Sequence, residues 1–312
     1  MAHRIFIDGA AGTTGLEIRE RLADRPEFEL LVLDDARRKD AGARREALNE
    51  ADIAILCLPD DAAREAVALI DNPTSRVIDA SSAHRVADGW TYGFPELVGS
   101  DAIADARFVS NPGCYPTGFL ALVVPLVRAG LLSMTDHLTC YGFSGYSGGG
   151  KALIERFEAD DAPAFRSYSL GAEHKHIREM AAHADLAGPP TFAPCVVPAY
   201  RGMIVDIPLT VHDTAGGCGH DMARAALADF YAGSEVIAVA PDTPTGGELL
   251  LERDPEGWDS MELFVTGEAG MHDMRLVAKL DNLGKGASGA AVQNLNLMCG
   301  LPETTGLRLP PR

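Results

Sequence analysis

Basic residues, aromatics, paired cysteines and long apolar runs are all scarce in this chain, and each scarcity removes a class of function. Lysine and arginine total 27 against 45 acidic residues, a formal charge of −18 at pH 7. A nucleic-acid binder needs the opposite balance, because neutralising phosphates drives that association, so no nucleic-acid partner is expected. An anionic substrate has to be captured instead by a few cations concentrated in a cleft, and the acidic surplus is read as serving solubility. The six cysteines, Cys57, Cys114, Cys140, Cys195, Cys218 and Cys299, stand without C-x-x-C pairs or alternating Cys/His ligand spacing. That argues against a zinc site and a disulfide framework, so reduced thiols and no metal are expected. No apolar run approaches the length of a membrane span, and the chain enters a strand-like segment at residues 4–7 without a charged-then-apolar leader. A cytoplasmic protein without a membrane partner is the expectation. Aromatics make up only 6% of the chain, yet hydrophobic residues reach 46% of 312 positions, enough for a sizeable core and, at this length, for two domains.

What is present begins with alternation. Apolar runs at residues 4–7, 28–33, 53–58, 76–78 and 107–109 are separated by helical patterns at 15–23, 44–50 and 60–70. This is the pattern of a parallel sheet with crossover helices, and right-handed crossovers make it a Rossmann-type doubly wound α/β domain. Between the first strand and the first helix lies Gly9-Ala10-Ala11-Gly12-Thr13-Thr14-Gly15. Glycines there permit a tight turn and let backbone N–H groups approach a pyrophosphate at the helix N-terminus, so Gly9, Gly12, Thr13, Thr14 and Gly15 are candidate cofactor-binding residues. At the end of the second strand the chain carries two messages. Asp34 and Asp35 occupy the usual place of an acid that binds a free ribose hydroxyl and favours NAD, whereas Arg37, Arg38 and Lys39 suit a 2′-phosphate. The basic run points to NADP, with Arg37 and Arg38 as its ligands.

Beyond residue 113 the pattern changes to strand-like runs at 137–143, 192–199, 203–211, 235–239 and 275–280, joined by longer connections. A mixed sheet in an α+β domain fits them. The glycine-rich loop from Ser144 to Lys151 lacks the G-x-x-x-x-G-K-[ST] spacing of a phosphate-binding loop, which excludes an ATPase. A last apolar helix at 290–298 has the length to return to the first sheet. The division expected is therefore a nucleotide-binding domain of residues 1–113 and 287–312, and a catalytic and oligomerisation domain of 114–286.

Between the two comes Ser110-Asn111-Pro112-Gly113-Cys114-Tyr115-Pro116-Thr117-Gly118. Pro112 and Gly113 turn the chain, Pro116 fits the first turn of a helix, and an apolar periodic stretch follows at 119–127. Cys114 then sits at a helix start, where backbone donors and the dipole favour thiolate over thiol and make a nucleophile. Such a cysteine needs an acid/base, and among nine histidines the pair in His174-Lys175-His176 is the best placed, on a polar segment before a helical run. A nucleophilic cysteine with a nicotinamide nucleotide selects one reaction type. Alcohol–ketone exchange needs no covalent intermediate, whereas an aldehyde and an activated acid interconvert through a thioester.

Taken together the motifs resemble the N-acetyl-gamma-glutamyl-phosphate reductases of arginine biosynthesis, in their shorter subgroup. The likeness rests on Gly9 to Gly15, Asp79-Ala80-Ser81-Ser82-Ala83-His84-Arg85, Tyr92-Gly93-Phe94-Pro95-Glu96, the Cys114 run, Gly142 to Gly150, the histidine pair, Tyr200-Arg201-Gly202-Met203, and Asn282 to Asn294. It departs at Arg178, where the family often has proline. The resemblance implies a semialdehyde-dehydrogenase-like fold, a homodimer or homotetramer, and NADPH-dependent reduction of N-acetyl-L-glutamyl 5-phosphate through a thioester on Cys114. By the same resemblance His176 is the acid/base, and Arg85, Asn111, Ser144, His174 and Arg201 bind substrate. Ser81, Asn282 and Asn294 join the cofactor residues, Asn294 as a nicotinamide contact. Aspartate-semialdehyde dehydrogenase uses the same logic on the same plan and is the alternative enzyme; a nucleotide sensor without catalysis is the alternative of another class.

Overall fold

In a computed structural model, which describes residues 2–34, 36–210, 216–254, 256–267 and 273–310, the chain divides into two units. One comprises Met1–Pro112 and Ala287–Leu307, the other Gly113–Gly286 and Arg308–Arg312. The tail from Arg308 falls in the second unit rather than the first because its backbone is tied there. The Arg308 N–H donates to Asp259 Oδ2 (2.7 Å), and the Asp259 N–H donates to the Arg308 carbonyl (2.8 Å).

The first unit runs β1 (His3–Asp8), α1 (Thr13–Leu22), β2 (Phe28–Leu31), α2 (Ala41–Glu50), β3 (Ile53–Leu56), α3 (Asp60–Ala68), β4 (Arg76–Asp79), β5 (Thr91–Tyr92), α4 (Pro95–Val98), α5 (Ser100–Asp105) and β6 (Phe108–Ser110). Its strands lie in the order β2-β1-β3-β4-β6-β5, each paired in parallel. Every residue of β3, Ile53-Ala54-Ile55-Leu56, is buried, which is why such strands read as unbroken apolar runs: a parallel sheet is covered on both faces. Since β1 lies between β2 and β3, successive crossovers leave it in opposite directions. The chain therefore reverses at the carboxyl end of β1, where ligands bind in open α/β sheets.

Several boundaries differ from the sequence reading by one to three residues, and two of them have clear local reasons. Helix α2 starts at Ala41 instead of 44 because Asp40 caps it, its Oδ1 accepting the Ala43 N–H at 2.7 Å. Strand β2 stops at Leu31 instead of 33, since Val32 is exposed and the Asp34 carbonyl opens a turn by accepting the Arg37 and Arg38 amides. Elements as short as β5, α4 and α5 show no readable period.

The second unit opens with α6 (Cys114–Arg128) and continues through β7 (Thr139–Gly145), α7 (Lys151–Glu158), β8 (Arg166–Ser167), α8 (Lys175–His183), β9 (Thr191–Val197), β10 (Met203–Thr210), α9 (His220–Phe230), β11 (Ile237–Val239), β12 (Met261–Thr266) and β13 (Asp273–Leu280). The sheet order is β11-β12-β13-β10-β7-β9-β8. Pairs β7/β9 and β11/β12 are parallel and the others antiparallel, so the sheet is mixed. Val211, the last residue of the expected third strand, lies outside the described residues. Every residue of α6 from Tyr115 to Leu126 is buried, as befits a helix that is apolar all round. It is the central element of this unit and packs on β10, β13, α8 and α9. Phe119, Leu120, Leu122 and Leu126 are each 0% exposed, and burying each contributes about 2 kcal/mol. A final helix, α10 (Gly289–Met298), returns to the first unit and packs on α1, α5 and β4. No described helix is long and apolar enough to cross a membrane.

Candidate active site

The turn after β1 brings backbone against backbone. Gly9 has φ +90°, and a Cβ on it would lie 2.2 Å from the Cys57 carbonyl oxygen; on Gly15 it would lie 2.5 Å from the Gly9 carbonyl oxygen. Gly12 is different. Its φ is −77°, its N–H donates to the Gly9 carbonyl at 3.0 Å, and a Cβ there would meet nothing nearer than 3.4 Å. Gly12 is the N-cap of α1, with no side chain to cap the helix and no acidic residue in the turn formed by Thr13, Thr14 and Gly15. The amides and the positive end of the dipole are thus presented to an anion.

A cavity of about 370 Å³ adjoins this turn, lined by Asp8, Gly9, Ala10 and Ala11 together with Arg19, Arg38, Lys39 and Arg44. Arg44 is held by Asp8, to whose Oδ2 its Nε and Nη2 donate at 3.0 and 2.8 Å. Arg37 does not line the cavity; it is exposed and pairs with Glu46 at 3.1 Å. Its N–H donates to Asp34 Oδ1 at 2.8 Å, and Asp35 lies outside the described residues. The sequence reading missed the Asp8–Arg44 pair, because two residues 36 positions apart leave no local signal.

Elsewhere in the first unit the expected residues are tied into the framework. Ser81 donates through its N–H and hydroxyl to the two Asp79 oxygens (2.9 and 2.8 Å), and Asp79 Oδ2 also meets His84 Nδ1 at 2.7 Å. The Arg85 Nε donates to the Asn111 carbonyl at 3.0 Å. The Asn111 amide donates to the Ala287 carbonyl (2.9 Å) and accepts from Asn294 Nδ2 (3.1 Å), which also donates to the Gly93 carbonyl (2.9 Å). Asn294 is fully buried and its Oδ1 has no hydrogen-bond partner among the described residues. Direct contact with a nicotinamide therefore requires its surroundings to open. Asn282 belongs to the second unit, where Nδ2 donates to the Ser147 hydroxyl (2.9 Å) and Oδ1 accepts the Gly202 N–H (2.9 Å).

In the second unit Cys114 is the first residue of α6, capped only by Gly113, which has no side chain. The Gly113 N–H donates to a carboxylate oxygen of Glu179 at 2.7 Å, and Pro116, the third residue of the helix, has no N–H to offer. Glu179 stands on α8, one turn beyond His176, and both are buried. That bond fastens the helix carrying the histidine to the residue before the thiol. The Tyr115 ring lies 5.9 Å from that of His176 and 6.1 Å from that of His174, centroid to centroid. The neighbour of Cys114 in the chain thus packs against both histidine rings. Glu179 escaped the sequence reading, although its spacing of three from His176 on one helix face was the available signal.

A third segment closes on the thiol. A Cβ on Gly286 would fall 2.9 Å from Cys114 Cβ and 3.0 Å from the Asp281 carbonyl oxygen, so the 281–286 turn packs against Cys114. Asp281 also holds Arg201, whose Nε and Nη2 both lie 2.6 Å from its Oδ2, and both residues are buried. Ser144 is buried on β7, its hydroxyl donating to the Gly145 carbonyl at 3.1 Å. Tyr115 donates its hydroxyl to the Cys195 carbonyl at 3.0 Å. Burial holds the phenol of Tyr115 well above its ordinary range and pushes that of Tyr168 up to about 12, so both stay protonated at neutral pH.

The other thiols are disarmed. Burial pushes Cys57 and Cys299 up to about 12 and Cys218 to about 11, and raises Cys140 and Cys195 as well. Because only the thiolate is nucleophilic, iodoacetamide at pH 8 should label Cys114 ahead of all five. Peptide mass mapping checks this, and faster labelling at any other cysteine would contradict it.

Residues 41–106 match the family model described as semialdehyde dehydrogenase, NAD binding domain, and residues 114–282 match semialdehyde dehydrogenase, dimerisation domain. The chain is 47% identical to N-acetyl-gamma-glutamyl-phosphate reductase 2 of Nostoc sp., covering 97% of this chain and 99% of that one. It is 50% identical to the N-acetyl-gamma-glutamyl-phosphate reductase of Chelativorans sp., covering 96% and 98%. Among solved structures, aspartate semialdehyde dehydrogenase II of Vibrio cholerae aligns with a TM-score of 0.71 at 18% identity, over 96% of this chain and 98% of that one. The NADP complex of aspartate semialdehyde dehydrogenase from Candida albicans gives 0.65 at 16%, with the same coverage. At such identities the structures share the fold alone.

Proposed function

The chain belongs to the N-acetyl-gamma-glutamyl-phosphate reductase family, and from that premise we propose that it reduces N-acetyl-L-glutamyl 5-phosphate to N-acetyl-L-glutamate 5-semialdehyde with release of phosphate, in arginine biosynthesis. The observation that carries this reading is Cys114 at the open start of α6, fastened through Gly113 and Glu179 to the helix of His176. His176 takes the thiol proton, and the Cys114 thiolate attacks the acyl carbon. As the carbon–sulfur bond forms, the amides of Cys114 and Tyr115 at the helix start hold the developing oxyanion, and phosphate departs with the electrons of its carbon–oxygen bond. When bound, NADPH supplies the hydride that makes the thioester carbon tetrahedral. His176 then protonates and deprotonates the thiohemiacetal oxygen while the carbon–sulfur bond breaks and returns the thiolate. Arg201, aimed by Asp281, and Arg85 are assigned to the carboxylate and phosphate of the substrate, and Ser144 and Asn111 are assigned to substrate binding as well.

The residues of the first unit fit a dinucleotide. Gly9 and Gly15 admit no side chain and Gly12 leaves α1 uncapped toward the pyrophosphate. Arg38, Lys39 and Arg44 line the adjoining cavity, and their charge favours the 2′-phosphate of NADP over the free hydroxyl of NAD. We place the enzyme in the cytoplasm as a homodimer or homotetramer, in keeping with the match to a dimerisation domain.

The deciding assay runs the reaction in reverse, offering phosphate and NADP with either N-acetylglutamate 5-semialdehyde or aspartate semialdehyde. The expected kcat/KM is about a hundredfold higher for the acetylated substrate. A preference for aspartate semialdehyde would replace this reading by the alternative enzyme, and the same assay with NAD tests the cofactor assignment.

A further inference from the structure

His174 and His176 lie two residues apart with their rings 4.6 Å apart, centroid to centroid, yet the fold uses them differently. His174 is the N-cap of α8, with extended backbone at φ −84° and ψ 132°. Its Nδ1 accepts the backbone N–H of His176 at 3.2 Å. That N–H is at the second helical position, one of the donors a helix leaves without an internal partner. A ring nitrogen that accepts carries no proton, so the neutral His174 ring has its hydrogen on Nε2, 3.4 Å from the Tyr168 hydroxyl. The ring is fixed further by edge contacts to Tyr115, Tyr168 and Phe192 at 6.1, 5.6 and 5.1 Å. Histidine is not among the preferred caps, which are Ser, Thr, Asp and Asn. Here it reaches the helix amide with one nitrogen and the Tyr168 hydroxyl with the other.

We propose that His174 is a positioning residue: its imidazole caps α8 through the His176 amide and so fixes the acid/base beside Cys114, taking neither a proton from the reaction nor a group of the substrate. This deepens the reductase reading and rests on it for the turnover measurements. A side chain that only holds an amide is replaceable by any acceptor of the right reach, whereas one that titrates or binds substrate is not.

The test compares His174→Ala, His174→Asn and His176→Asn in the intact enzyme. His174→Ala should lower kcat roughly tenfold, the order of loss expected when a reacting group is slightly misplaced, with KM for the semialdehyde and for phosphate within about twofold. His174→Asn, whose side-chain oxygen can accept the same N–H, should restore kcat to within about threefold of wild type, while His176→Asn stays inactive. Hydrogen exchange at the His176 amide gives a readout independent of turnover: about fivefold faster in His174→Ala and restored in His174→Asn, as expected for a lost cap. If His174→Ala does not fold, His174→Asn against wild type decides alone. An inactive His174→Asn, a KM raised manyfold, an unchanged amide exchange in His174→Ala, or a loss of thermal stability with kcat intact would each overturn the proposal. A wild-type enzyme that turns over neither semialdehyde would sink the reductase reading, yet the exchange measurement would still report on the cap.

Discussion

Replacing Cys114 by serine is expected to remove phosphate-dependent semialdehyde oxidation, lowering kcat on the order of 10⁴-fold or more, the scale seen when a covalent nucleophile is lost. A serine hydroxyl at the start of α6 keeps the size of the side chain and the helix start, but its pKa lies far above that of a thiol and His176 alone cannot hold it ionised at neutral pH. Binding of NADPH, followed by nucleotide fluorescence, should stay within about twofold of wild type, since the glycine turn and its basic cavity belong to the first unit. Loss of both properties together would mean that serine disturbs more than the nucleophile. Substantial residual turnover with unchanged binding would remove the thioester from the mechanism.

The second large effect separates two glycines that the sequence motif treats alike. Alanine at Gly9 must adopt φ +90° and place its Cβ 2.2 Å from the Cys57 carbonyl oxygen. Neither can relax cheaply, because Cys57 directly follows β3 and its N–H is bonded to the Asp8 carbonyl at 2.8 Å. A destabilisation of about 3 kcal/mol or more is expected, visible as a lower urea midpoint at unchanged slope. Alanine at Gly12 faces no such clash: φ −77° is open to any residue, and the nearest atom is 3.4 Å away. Its stability should stay within about 1 kcal/mol of wild type, while NADPH affinity falls about tenfold or more because a methyl group stands where the pyrophosphate approaches the amides of α1. Equal effects of the two substitutions on folding and on binding would refute this division of roles.

Much of the fold was legible because its signals are local. The buried run of β3, the glycines between β1 and α1, and the apolar helix after Cys114 are each contiguous in sequence, and the alternation of short strands with helices specifies the parallel sheet. The elements that were missed are those without a readable period, such as the two-residue β5 and β8, or those like β12 and α9 that flank long connections. Site residues divide along the same line. Cys114 and the histidine pair are candidates on residue type and neighbours alone. Asp8 with Arg44, Glu179 with Gly113 and Gly286 with Cys114 did not, since each pair joins segments far apart in the chain.

By itself the sequence determined which groups are available: a cysteine before an apolar helix, a histidine pair, a glycine-rich turn after the first strand, and an acidic surplus that leaves few cations to capture an anion. Only the tertiary structure decided how those groups are employed. It turned Arg37 outward to Glu46 and Arg44 inward to Asp8, made His174 the cap of the helix that carries His176, and laid Gly286 against Cys114. The physical reason is that residue type and spacing fix what a side chain can do, whereas which of its hydrogen-bonding atoms remain available depends on partners brought in from distant segments by the packing of helices and strands.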